Sequence, residues 1–266
     1  MTISHSAFGL LGEQLSHSYS KIIHEHFGYE YNLFEVPLRE LANFMLKREF
    51  SGLNVTIPYK QKVLPFCDVV DDISLKIGAA NTLYFDSKSL LHATNTDYFG
   101  FLDALKFCDV DLSNKTVTVF GFGGAARAII FAALAMNVKK IYIISRSCAQ
   151  PLDVQANISY IDFQSMSTAY ESDMIINATP LGMFPNTKAS PCDLSLFPNC
   201  EFVFDAVYNP HETALLKQAS ALNIKNSCGL YMLVAQAAKS AEFFTGKHFD
   251  SSETVQNIYH ILKNRL

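Results

Sequence analysis

The stretch VTVFGFGGAARAII, residues 117–130, constrains this chain more than any other. An apolar, β-branched run ends at Gly121, the spacing Gly121-x-Gly123-x-x-Ala126 follows, and an alanine-rich helical pattern begins. The first glycine permits a tight turn. The second lets the backbone approach a pyrophosphate, and the small third residue lets the helix pack close to the sheet. The helix start adds unpaired N–H groups and the positive end of a dipole. A strand, a glycine turn and a helix in this order predict a dinucleotide site in an α/β fold.

The end of the next strand discriminates between cofactors. Enzymes that use NAD place a carboxylate there, against the ribose hydroxyls. Here the strand KKIYIIS runs into Ser145, Arg146 and Ser147, with no carboxylate. Arg146 can pair with a 2′-phosphate and stack on adenine, and the two serines can donate to the phosphate. The pattern predicts NADP.

Strand and helix patterns alternate along the rest of the chain. In the first hundred residues, AFGLLG, YNLFEVP, SGLNVTIP, AANTLYFD and LLHATN read as strands. SYSKIIHEHF, LRELANFMLKREF, YKQKVLPFCD and DDISLKIG read as helices between them. A second series holds KTVTVF, KKIYIIS, MIINAT and FVFDAV as strands and HETALLKQASALN as a helix, and two helices close the chain. YFGFLDALKF reads as a helix bridging the two series. This order predicts mostly parallel sheets covered by helices.

Composition removes other classes. The net charge is −4 with no basic run, which excludes nucleic acid and anionic membrane as expected partners. The longest apolar stretch, AIIFAALAM, falls well short of the roughly 18 residues of a membrane helix. The opening residues do not read as a signal peptide, and the six scattered cysteines form no Cys-x-x-Cys pair, so free thiols in the cytoplasm are expected. His24 and His26 invite a metal reading, but positions i and i+2 point about 200° apart on a helix, and no metal is expected.

Polar residues recur where strands end. Ser18 and Ser20 stand at a strand-to-helix turn, Lys60 follows NVTIP, Asn81 lies in GAANTL and Asp97 closes ATNTD. Each has a bland alternative: the serines and Asp97 as helix caps, Asn81 as a turn residue, Lys60 as solvated surface. Asn54-Val-Thr-Ile57 alternates like a strand with one wet face, and Pro58 ends its ladder. Ligands of open α/β sheets bind beyond the carboxyl ends of strands, so these residues gain weight together.

The motifs resemble those of the shikimate dehydrogenase family, nearly end to end. They are the Gly12 to Ser20 turn with its His-Ser-x-Ser, NVTIPYK, GAANTL, NTD, GFGGAAR, INATPLGM, FDAVYNPHETALL and GLYMLVAQAAKSAEFFTG. Phe122 departs from the family's usual alanine, and Gln150 stands where a second arginine often follows Arg146. The resemblance implies a two-domain α/β enzyme. Residues 1–101 and 230–266 would form a discontinuous substrate domain and 102–229 a Rossmann-type NADP domain, with a cleft between. Lys60 and Asp97 would be the catalytic pair. Ser18 and Ser20, with Tyr208, would hold the substrate carboxylate, and Thr56, Asn81 and Gln236 the ring hydroxyls. Gly121, Gly123, Gly124, Ala125 and Arg127 would hold the cofactor phosphates, and Thr179 and Gly229 would line the nicotinamide pocket. The implied reaction is NADP-dependent reduction of 3-dehydroshikimate to shikimate in aromatic amino-acid biosynthesis, by a monomer or homodimer. A quinate/shikimate enzyme that also uses NAD is the nearest alternative. A noncatalytic dinucleotide sensor would need neither Lys60 nor Asp97.

Overall fold

Two six-stranded sheets account for the apolar runs. The structure is a computed structural model that describes residues 7–15, 18–146, 157–249 and 251–265. The chain opens with β1 (Phe8–Gly12), α1 (Ser20–Glu25), β2 (Tyr31–Glu35), α2 (Leu41–Lys47) and β3 (Gly52–Val55). There follow β4 (Val69–Val70), α3 (Asp72–Ile77), β5 (Thr82–Phe85), β6 (Leu91–Thr94) and α4 (Thr96–Phe107). The second series holds β7 (Thr116–Phe120), α5 (Gly124–Ala135), β8 (Lys140–Ile144), β9 (Ile158–Ile161), β10 (Met174–Asn177) and β11 (Phe202–Asp205). It ends with α6 (Ala214–Ala221), β12 (Lys225–Cys228), α7 (Leu230–Thr245) and α8 (Gln256–Lys263).

The second sheet, in the order β12-β11-β10-β7-β8-β9, is parallel throughout. Its inner strands are buried on both faces, which is why they read as unbroken apolar runs. The order reverses between β7 and β10, and a doubly wound sheet opens its ligand crevice at that switch point.

The first sheet, β2-β1-β3-β5-β6-β4, is also mostly parallel, with one exception: β5 runs antiparallel to both β3 and β6. The turn from Asp86 to Leu90 is far too short for a parallel crossover, and Asp86 Oδ1 holds it by accepting the N–H groups of Lys88 and Leu90. The reversal matters for function: the start of β5 and the ends of β3 and β6 meet at one edge.

Other expectations also change. YKQKVLPFCD is not a helix; it makes turns and one short 3₁₀ segment, Leu64–Phe66, because Pro65 has no N–H to extend a helical ladder. The wet face expected for Asn54 is absent, since all four β3 residues are buried and Asn54 is 4% exposed. Strands β4, β9 and β12 lie at or near sheet edges, and their short or polar sequences carry no alternating signal. His24 is buried and stacks on Tyr31, whereas His26 is exposed and bonds the Ile22 carbonyl.

Helix α4 carries the chain from the first sheet to the second, and α7 brings it back, packing on α4, α1 and β5. The helices α4 and α7 cross closely at Gly100, where an added Cβ would stand 2.7 Å from the Met232 carbonyl and 2.8 Å from Gln236 Cβ. That approach places Gln236 beside the first sheet's functional edge.

Candidate active site

Lys60 follows β3 through the turn at Pro58, and its carbonyl accepts the Ala80 N–H, which ties it to the segment before Asn81. Its Nζ donates to Asp97 Oδ2 at 2.5 Å, with the two side chains 14% and 9% exposed. Asp97 lies in the first turn of α4, where the helix dipole favours a carboxylate. Its side chain does not cap the helix: its second oxygen accepts Asn81 Nδ2 at 2.9 Å. The same Asn81 nitrogen reaches Gln236 Oε1 at 3.2 Å. The Asn81 amide cannot turn over, because its Oδ1 accepts the Thr96 backbone N–H at 2.6 Å. Lys60, Asn81, Asp97 and Gln236 therefore form one bonded group, although Gln236 is 155 residues from Asn81.

The glycine turn meets this group directly. Gly121 has φ +105°, and a Cβ on it would stand 2.8 Å from the Ala178 carbonyl and 3.1 Å from Thr179 Cγ2. This is the switch-point crevice between β7 and β10. Thr179 is held there, donating from Oγ1 to Asn177 Oδ1 at 2.7 Å. A Cβ on Gly123 would meet nothing within 4 Å, so this side of the turn is an open cradle at the start of α5, as a pyrophosphate requires. A Cβ on Gly124 would instead stand 2.9 Å from Lys60 Cδ and 3.2 Å from Lys60 Cβ. The two adjacent glycines thus face different neighbours.

Their substitution should separate two effects. Gly124→Ala displaces the Lys60 stem and should lower kcat by about 10- to 100-fold, in line with small misplacements of reacting groups. Gly123→Ala should leave kcat largely intact and weaken NADP binding by about tenfold, the worth of one charge-assisted hydrogen bond. Steady-state kinetics with an independent NADP Kd checks both. A Gly124→Ala variant that loses NADP affinity but keeps its kcat would contradict the assignment.

The remaining expected residues lie on other turns and element ends. Ser18 Oγ accepts the Ser20 N–H at 3.2 Å, and among the described residues neither hydroxyl is seen to donate. Tyr208 lies beside this turn, its ring 5.9 Å from that of Tyr19, and burial raises its pKa. Thr56 follows β3, its N–H bonded to the Leu11 carbonyl. Ala125 is in the first turn of α5. Arg127 is largely buried, with its guanidinium 4.2 Å above the Phe122 ring. A Cβ on Gly78 would lie 3.7 Å from its Nη1, so Arg127 reaches toward the first half. Ser145 and exposed Arg146 stand at the end of β8, while Ser147 lies outside the described residues. Gly229 heads α7 against the Ala206 backbone, where no Cβ fits.

Two polar residues escaped the sequence reading. Asp205, at the end of β11, is fully buried and accepts from Asn177 Nδ2 at 2.9 Å, the Val207 N–H at 3.0 Å and Thr213 Oγ1 at 2.6 Å. With Asn177 it secures the segment that carries Tyr208. The sequence signals were their place at adjacent strand ends and within the motifs INATPLGM and FDAVYNPHETALL. Burial pushes the Asp205 carboxyl up to about 6, against the pull of its three donors. A carboxyl raised on folding contributes stability that is complete below the ordinary value of 3.8 and is lost as pH rises through about 6. Between acidic and neutral pH, unfolding free energy should therefore fall by about 2–3 kcal/mol more in the wild type than in Asp205→Asn. Urea titrations across that range check this, and parallel pH curves would contradict it.

Residues 10–83 match a family model described as the shikimate dehydrogenase substrate binding domain. A relative from Clostridium beijerinckii, named shikimate dehydrogenase (NADP(+)), is 37% identical, covering 97% of this chain and 98% of its own. The crystal structure of shikimate dehydrogenase 1 from Peptoclostridium difficile superposes with a TM-score of 0.89 at 32% identity, covering 98% of each chain. The shikimate 5-dehydrogenase of Thermus thermophilus, solved with NADP(H) and shikimate, superposes with a TM-score of 0.83 at 31% identity, covering 96% of this chain and 98% of that one.

Proposed function

The chain belongs to the shikimate dehydrogenase family, and on that basis we propose how its residues perform the NADP-dependent interconversion of 3-dehydroshikimate and shikimate. The observation that carries the reading is the Lys60–Asp97 pair, bonded at 2.5 Å and pressed against the first residue of the dinucleotide-binding helix.

NADP held at the glycine turn would supply the hydride-transfer chemistry. The chain's own residues handle the proton. In the oxidation direction Lys60 holds the alcohol oxygen, and the departing proton is taken up by the Lys60–Asp97 pair. Lys60 also stabilises the negative charge that grows on that oxygen. Asn81, Gln236 and Thr56 hold the ring hydroxyls, while the Ser18 and Ser20 hydroxyls and Tyr208 hold the carboxylate. Gly121, Gly123, Gly124, Ala125 and Arg127 surround the phosphates. Ser145 and Arg146 would meet the 2′-phosphate, and Thr179 and Gly229 would flank the nicotinamide.

The substrate domain in this reading comprises residues 1–101 and 230–266, and the NADP domain residues 102–229. The return of α7 to β5 of the first sheet supports that division. A cytoplasmic site of action is supported by the five described cysteines, all free thiols. Among the described residues, no helix is long and apolar enough to cross a membrane.

Initial rates with shikimate and quinate, each with NADP and NAD, test the function. The fastest turnover is expected with shikimate and NADP. A folded protein that oxidises neither acid with either cofactor would overturn the reading, and comparable rates with quinate and NAD would establish the relaxed alternative.

A further inference from the structure

Behind the reacting groups lies a second polar layer, and its centre is Ser240 on α7. Its side chain is fully buried. Its Oγ stands 2.7 Å from Asn54 Nδ2, 2.9 Å from Thr82 Oγ1, 3.0 Å from Thr96 Oγ1 and 2.9 Å from the Gln236 carbonyl. Four elements, β3, β5, α4 and α7, therefore converge on one hydroxyl. Their orientations follow from simple counting. The Tyr31 hydroxyl donates to Asn54 Oδ1 at 2.8 Å, which turns the Asn54 NH₂ toward Ser240. A hydroxyl has one proton and two lone pairs, so Ser240 accepts from Asn54 and shares its remaining bonds with the two threonines and Gln236.

The threonines carry the order inward. Thr82 Oγ1 and Thr96 Oγ1 each stand 3.1 Å from Asn81 Oδ1, and Thr96 Oγ1 is also 3.3 Å from Gln236 Oε1, so these acceptors share the single proton of each hydroxyl. With both threonines also bonded to Ser240, the proton count leaves one of the two hydroxyls for Asn81 Oδ1; together with the Thr96 backbone N–H it commits the Asn81 nitrogen to Asp97. Stability alone does not call for this layer, because apolar side chains in place of both partners of a buried hydrogen bond can be nearly neutral. What the layer does supply is direction at its inner end.

We propose that Ser240 is a positioning residue for the reaction: anchored by Asn54, it orients Thr82 and Thr96 and through them the Asn81 amide that donates to Asp97. The proposal rests on the dehydrogenase reading above and extends it to residues with no direct contact with the substrate or NADP.

The test is a kinetic cycle of Ser240→Ala, Asn81→Ala and their double variant, with NADP Kd and thermal unfolding measured alongside. Ser240→Ala should lose about 5- to 30-fold in kcat/KM for shikimate, the worth of one oriented hydrogen bond, with NADP Kd unchanged. On the Asn81→Ala background the same substitution should cost less than about twofold, because its effect passes through Asn81. A folded Ser240→Ala with kcat/KM near wild type would overturn the proposal. So would an undiminished loss on the Asn81→Ala background, which marks a general structural effect. If Ser240→Ala fails to fold, Thr96→Val and Thr96→Ser decide by the same criteria: the valine should reproduce the loss and the serine, which keeps the hydroxyl, should restore most of it. A folded wild type that turns over neither acid would overturn the dehydrogenase reading and this proposal together. An active wild type with an insensitive Ser240 overturns only the proposal.

Discussion

Lys60→Ala should fold, bind NADP, and lose about 10²- to 10⁴-fold in kcat, the range of general acid–base and electrostatic contributions. The KM for shikimate should change far less. The reason is the timing of charge: the alcohol oxygen is neutral in the ground state and becomes negative as its proton leaves. An ammonium beside it therefore stabilises the transition state more than the bound substrate. Asp97→Asn should show the same pattern, because it removes the carboxylate that orients Lys60 at 2.5 Å. Steady-state kinetics and a separate NADP Kd check both variants. A Lys60→Ala enzyme that keeps most of its kcat would return Lys60 to ordinary surface.

Arg146→Ala should raise the KM for NADP by about 10- to 150-fold, the worth of a charge-assisted contact of about 1.5–3 kcal/mol, and leave the KM for NAD almost unchanged. Arg146 stands exposed at the end of β8, one strand from the glycine turn, where an NAD enzyme would carry a carboxylate. Exposure suits a residue that meets its partner only when the cofactor arrives. Kinetics with both cofactors checks the prediction, and equal effects on the two would show that Arg146 does not read the 2′-phosphate.

Much of this site was legible before the fold was known, for identifiable reasons. The glycine turn announces itself because backbone geometry admits few residues at Gly121, where φ is +105°. Lys60 and Asp97 stand at strand ends, and strand ends are readable from apolar runs. Gln236 is a different case. Only the motif resemblance pointed to it, since its place beside Asn81 depends on a helix crossing at Gly100 that no local spacing encodes.

The layer behind the site was not legible at all. Asn54 alternates with valine as a solvated strand residue would, yet it faces α7, which arrives 186 residues later to supply Ser240. The antiparallel run of β5 was equally decisive, because it brings Asn81 and Thr82 to the edge where β3 and β6 end. Asp205 was hidden for a similar reason: its partners Asn177 and Thr213 come from other parts of the chain, and no local pattern shows that they meet at its carboxylate.

Lys60 and Asp97, bonded at 2.5 Å, act as one unit in this mechanism. The most direct measurement is kcat of Lys60→Ala, Asp97→Asn and the double variant under saturating shikimate and NADP. Groups that work together are not additive, so the double variant should fall within about threefold of the worse single variant. If the two losses multiply instead, the residues contribute independently and the coupled pair proposed here is contradicted.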